Sequence, residues 1–267
     1  MHYIHHVFLR AALLGGALVC SQAAVAQTAE LLPDHKALAP GGELWGQLPF
    51  YNTTIPLFVD RPEGVTREPE YAGTPLYGQL RLGNTSKSGY IVVVDHPKDG
   101  QWNDSRIHVD ANRNGDLTDD GDGQWNNIMT RGTAARLGPK LVQLRASYST
   151  GRDDVEVTTQ PYSLMFLYTR PGPDTGMQLS YRRVTSFQGE LTLGESKHRV
   201  MMVENDNDAV FRTVKGDDSK PLWLFVDADG NGRFSDAERH DMRGAFTIAG
   251  KNYVARPAAH AARVQLT

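Results

Sequence analysis

The plainest pattern along the chain is alternation. Leu80 and Leu82 flank Arg81, and Leu191 and Leu193 flank Thr192, the period-two spacing of a half-buried strand. Glycines bracket both stretches, Gly78 and Gly83 in one and Gly189 and Gly194 in the other. The polar runs at 84–87 and 195–198 read as hairpin turns. Apolar runs follow at 90–94 and 200–203, then at 107–109 and 222–226, and β-branched and aromatic residues dominate them. No stretch sustains a helical stripe, and at most one or two helical turns are expected around Ser235–Met242. With 14 prolines and 26 glycines, the chain suits many short strands and turns.

These elements come twice, in one order. Pro49-Phe50 returns as Pro161-Tyr162, Arg61-Pro62 as Arg170-Pro171, and Gly78–Gly83 as Gly189–Gly194. The loop at Asp95 with Trp102 returns at Glu204 with Phe211, and Asp110-Ala-Asn112 as Asp227-Ala-Asp229. All five spacings lie between 109 and 117 residues. Order and spacing together mark an internal repeat. The expected fold class is all-β, two related antiparallel β-modules arranged like a sandwich, each with a loop insertion that a strand precedes. The expected divisions are a leader at 1–26, a loose lead-in at 27–45, a first repeat at 46–140 and a second at 141–267.

The leader changes the chemistry that is open to the rest. Arg10, the apolar run Ala11–Val19 and Ala24-Val25-Ala26 have the layout of a secretory signal peptide. Nine apolar residues are too few to span a bilayer. The expected location is therefore secreted or periplasmic. Cys20 falls in the leader, so the exported part carries no cysteine and can form neither a disulfide framework nor a thiolate site. The whole chain has a formal charge of −3. No basic run or stripe is present, which argues against nucleic acid as a partner, and no later stretch is apolar enough for a transmembrane helix.

The acidic loops carry the candidate chemistry. Asp227-Ala-Asp-Gly-Asn-Gly-Arg-Phe-Ser-Asp-Ala-Glu238 matches the twelve-residue calcium-loop template. Calcium takes six to eight oxygens. Asp227, Asp229 and Asn231 offer them from positions 1, 3 and 5, Arg233 offers its backbone carbonyl from position 7, and Glu238 closes the shell from position 12. Gly232 at position 6 permits the reversal of the chain, and Phe234 at position 8 is expected to point inward. Asp110, Asn112, Asn114 and Asp116 repeat positions 1, 3, 5 and 7. Position 12 is Gly121 there, so Asp119 or Asp120 is expected to supply the last oxygens, with Asp122 a weaker substitute. Two further loops look worn. The one at Asp95 has Pro97 at position 3 and reads as a tight turn with Trp102 buried. The one at Glu204 keeps acids at positions 1, 3 and 5 but lacks the glycine, and sequence alone leaves it open as a metal site.

The runs 109–120 and 226–238 resemble the D-x-[DN]-x-[DN]-G loops of EF-hand-like and dockerin-like bacterial exported proteins. More loosely, the strand–loop unit is similar to β-rich regions that precede thioredoxin-like modules. The resemblance implies calcium at both loops. It implies no thioredoxin activity, since Cys-x-x-Cys is lacking, and dockerin-type pairing would need helices after the loops. No catalytic motif stands out, and the histidines have no metal-ligand spacing. The expectation is a calcium-binding protein of non-catalytic, structural or binding role, with an envelope protein as a possible partner. The alternative is a carbohydrate module that uses Trp45, Trp102, Trp125 and Trp223 to hold a polysaccharide.

Overall fold

The computed structural model describes residues 26–47, 51–98, 101–131, 134–149, 158–169, 178–213 and 220–267. In chain order the strands are β1 Gln27–Asp34, β2 Thr53–Ile55, β3 Gly73–Arg81, β4 Gly89–Pro97, β5 Arg106–Val109, β6 Ile128–Arg131, β7 Ala134–Tyr148 and β8 Thr158–Thr169. They continue with β9 Gln178–Arg183, β10 Ser186–Leu193, β11 Ser196–Val203, β12 Trp223–Val226, β13 Arg239–Asp241, β14 Ala245–Ile248, β15 Lys251–Pro257 and β16 Arg263–Leu266. The only helical pieces among the described residues are short 3-10 turns, one of them Asp236–Glu238. The fold is all-β, and every strand pairing is antiparallel.

Three sheets share one main core. An eight-stranded sheet runs β13-β12-β11-β10-β1-β16-β15-β14, a five-stranded sheet β2-β9-β8-β7-β6, and a three-stranded sheet β3-β4-β5. The two ends of the largest sheet approach each other, and the rings of His240 and Phe246 stack across the gap at 4.9 Å. Facing strands bury Val92, Val94, Leu164, Phe166, Val200, Leu224 and Val264 in one cluster.

The meanders β3-β4-β5 and β10-β11-β12 have the same register. Gly78 lies opposite Val92, which lies opposite Val109, the residue before Asp110. Gly189 lies opposite Val200, which lies opposite Val226, the residue before Asp227. The two glycines are close-approach positions: a Cβ on Gly78 would meet Ile55 at 2.5 Å, and one on Gly189 would meet the Glu30 carbonyl at 2.1 Å.

The middle strands are buried on both faces, which is why they read as apolar runs and not as alternation. Their outer faces are covered by the loops that follow. Leu117 packs on Val93 and Tyr77. Phe234 packs with Met201 and Phe225, joined by Leu38 and Leu44. Val93 and Met201 hold the same register position, one residue after Val92 and Val200.

Several local expectations change. The stretch 27–45 is not a loose lead-in throughout. β1 is paired along its whole length, to β16 at Gln27–Glu30 and to β10 at Leu31–Asp34, because buried Ala29 and Leu31 alternate with exposed Thr28, Glu30 and Leu32. The division placed between 140 and 141 falls inside β7. The second hairpin turns at Gly194–Glu195, since Leu193 already pairs with Ser196. Residues 1–25 of the leader, and Pro49, Phe50, Arg170 and Pro171 of the repeat, lie outside the described residues.

Candidate metal centre

The second loop leaves β12 at Asp227, whose backbone N–H still donates to the Arg199 carbonyl at 3.0 Å. Gly230 and Gly232 then take left-handed backbone, with φ of 68° and 79°. That reversal aims the Gly232 N–H at Asp227 Oδ2 (2.9 Å), the Asn231 N–H at Asp229 Oδ1 (3.0 Å) and the Arg233 N–H at Asn231 Oδ1 (2.8 Å). The 3-10 turn brings Glu238 back over the start of the loop. Its Oε1 accepts from the Ala228 N–H (2.9 Å), and its Oε2 accepts from the N–H and hydroxyl of Ser235 (3.0 and 2.9 Å). Asp227, Asp229 and Glu238 each place a carboxylate oxygen within 4.8 Å of the other two. Two oxygens on opposite sides of a calcium ion stand about 4.6–5.2 Å apart, twice the metal–oxygen distance, so the span fits. Asp227 is 4 % exposed, and its Oδ1 is buried with no hydrogen-bond partner. A buried carboxylate oxygen without a donor is costly, and a bound cation is one of the standard ways to satisfy it.

The first loop repeats the turns but not the convergence: among the described residues no three of its carboxylates meet as Asp227, Asp229 and Glu238 do, and both oxygens of Asp110 accept backbone N–H groups. Arg113 and Gly115 are left-handed at the positions of Gly230 and Gly232. The Gly115 N–H donates to Asp110 Oδ2 (3.0 Å), the Asn114 N–H to Asn112 Oδ1 (3.0 Å) and the Asp116 N–H to Asn114 Oδ1 (2.7 Å). Asp120 takes the part of Glu238: its Oδ1 accepts from the Ala111 N–H at 3.1 Å, as Glu238 accepts from Ala228. Asp120 Oδ2 is buried without a partner. Burial above all, with Asp110, Asp119 and Asp116 nearby, pushes its pKa up to about 6. Asp119 accepts from the side-chain amides of Asn112 (3.3 Å) and Asn114 (2.9 Å). Asp116 is engaged by Thr118 and by Arg67 Nη1 (2.8 Å), which leaves its backbone carbonyl as the group available to an ion. Thr118 first, and Arg67 further down, hold the Asp116 carboxyl below the usual range. Asp122 accepts from the Gln124 N–H and stands apart from these contacts.

Two supporting residues were not legible as such. His198 Nδ1 donates to the Asp227 carbonyl (2.9 Å), and since a carbonyl only accepts, Nδ1 carries the proton. Arg199 Nη1 donates to the Gly232 carbonyl (2.5 Å), and its guanidinium lies 5.2 Å from the centre of the Phe234 ring. Both sit on β11. Only the register of β11 against β12 brings them to the loop, and no spacing in the sequence signals that.

The worn loops diverge. Asp95 lies within β4, and its two oxygens accept from the N–H groups of Ala72 (2.8 Å) and Gly73 (3.0 Å), so its side chain ties down a turn of backbone. Glu204 turns into the core, where it accepts from the Tyr162 hydroxyl and from the Asn207 N–H (2.8 Å). The four tryptophans are dispersed. Trp223 is buried beside Phe225, Trp45 lies under the Arg182 guanidinium, and Trp102 and Trp125 flank Tyr168.

No protein-family model matches the chain. Neither the curated proteins nor the solved structures contain a match. Among the described residues no helix is long and apolar enough to cross a membrane.

Proposed function

We propose that this chain is an exported calcium-binding protein whose two strand-preceded loops hold the ion and thereby stabilise an all-β fold, in a structural or binding role without catalysis. The observation that carries the reading is the buried, partnerless Oδ1 of Asp227, an acid whose carboxylate converges with those of Asp229 and Glu238. In the second loop Asp227, Asp229, Asn231 and Glu238 would hold the ion with side-chain oxygens, and Arg233 with its carbonyl. In the first, Asp110, Asn112, Asn114 and Asp120 would do so, with Asp116 giving its carbonyl.

Strands enter both loops, and after them comes at most a single 3-10 turn. A sensor EF-hand works by changing the angle between two helices; no such lever exists among the described residues. Closing the loops would instead clamp strand ends and press Leu117 and Phe234 onto the sheets beneath. At ~1 mM calcium and a Kd of ~0.1 mM, each site contributes RT ln 11, about 1.4 kcal/mol. The test is thermal melting in chelator, in calcium and in magnesium. Calcium should raise the melting temperature by several degrees over chelator, and magnesium by much less. Equal melting in all three would refute the proposal.

A further inference from the structure

The loop at Glu204 shares its left-handed turns with the two candidate calcium loops and carries an arginine over its acids. Numbered from Glu204, positions 4 and 6 are Asn207 and Ala209, and both are left-handed, with φ of 63° and 60°. Position 6 is an alanine, so the conformation is held without the glycine that normally permits it. The Val210 N–H of position 7 donates to Asp208 Oδ1 of position 5 at 2.9 Å, as Asp116 does to Asn114 and Arg233 to Asn231. Position 8 is buried Phe211, matching Leu117 and Phe234. The loop departs from the other two at positions 11 and 12, where Val214 and Lys215 stand in place of a closing acid, and on the rim at position 9. Thr118 and Ser235 stand there in the other loops, and Arg212 stands here.

The Arg212 guanidinium spans the two acids at positions 3 and 5. Its Nη2 donates to Asp208 Oδ2 at 2.8 Å, and its Nη1 lies 3.9 Å from Asp206 Oδ2. The remaining oxygens of the pair are also engaged, Asp208 Oδ1 by Val210 and Asp206 Oδ1 by the Lys220 N–H at 3.2 Å. Glu204, at position 1, has left the rim for the core. So the oxygens that a divalent ion would need are shared out to a guanidinium, three backbone amides and a tyrosine.

We infer that this loop is a third member of the set which supplies its own cation: Arg212 neutralises Asp206 and Asp208, and the loop stays closed with no metal bound. This inference rests on the calcium reading of the other two loops. A guanidinium has a fixed planar geometry and keeps its charge at any accessible pH. The loop should therefore be indifferent to chelators.

Counting bound calcium by equilibrium dialysis decides the matter. Wild type should take two ions per chain. Arg212→Ser, which restores a short hydroxyl at position 9, should take a third, weaker ion, and Arg212→Lys should stay at two. The side chain of Arg212 is half exposed, and exposed pairs add little stability, so the variants should fold. If Arg212→Ser does not, the double variant Asp206→Asn/Asp208→Asn serves in its place: it should keep two ions. Three ions on wild type, two on folded Arg212→Ser, or one fewer on the double variant than on wild type overturns the inference and leaves the other two loops standing. No ion on wild type overturns both.

Discussion

The two candidate loops share a backbone and differ in how they store the closing carboxylate. Glu238 reaches back from position 12 out of its own 3-10 turn and has three donors on its two oxygens. Asp120 reaches from position 11 with one donor and one orphaned oxygen, among three other acids that raise its pKa after burial has done so. In the second loop the closing carboxylate is therefore held by the protein itself, and the oxygen left without a donor is Asp227 Oδ1. The first holds a carboxylate that only a cation or a proton can satisfy. One template thus leaves its unsatisfied oxygen on the first acid in one loop and on the closing acid in the other, through a difference in length of one methylene and one residue.

The largest effects should come from what the loops have in common. Phe234→Ala should cost about 3–5 kcal/mol, and Leu117→Ala about 2–5 kcal/mol, in denaturant titrations with or without calcium. Losses under 1 kcal/mol for both would mean that the loops are not anchored by position 8.

Next in size is the contrast itself. In chelator, Glu238→Gln should destabilise by about 1.5–3 kcal/mol, because it weakens charge-assisted bonds that exist without the ion. Asp120→Asn at neutral pH should change stability by only a few tenths, in the stabilising direction, since it removes a buried, crowded charge. Equal losses in the two variants would erase the distinction between the loops.

In ~1 mM calcium, Asp227→Ala should remove about half of the calcium-dependent stabilisation, on the order of 1.4 kcal/mol, seen as half of the melting shift. Complete loss would mean that the loops are coupled.

The smallest effect is the pH dependence of the first loop in chelator. A carboxyl whose folded pKa is raised binds its proton more tightly when folded. Its contribution is thus greatest below the ordinary aspartate value of 3.8 and is lost as pH rises towards about 6. Wild type in chelator should lose stability across that window relative to Asp120→Asn. Identical pH profiles would show that Asp120 is not strained.

Much of this was visible in the chain. The alternation at Leu80–Leu82 and Leu191–Leu193 marked real strands, and the acids at alternate positions marked both loops. Phe234 was expected inward and is buried. What was hidden depends on contacts far apart in sequence. Ala29 and Leu31 form too short an alternation to announce a central strand without their partners on β10 and β16. The choice between Asp119 and Asp120 turned on which carboxylate meets the Ala111 N–H, a matter of loop path. The part played by Arg212 needed the third loop's backbone, since an alanine at position 6 conceals the left-handed turn.

The most direct measurement is a calorimetric calcium titration of the protein beside its Asp227→Ala variant. Two ions should bind wild type and one should bind the variant, with Kd values in the range of extracellular sites, ~0.1–1 mM. An absence of binding heat from wild type up to ~5 mM calcium, beyond the weakest such sites, would contradict calcium as the ion that these loops are shaped to hold.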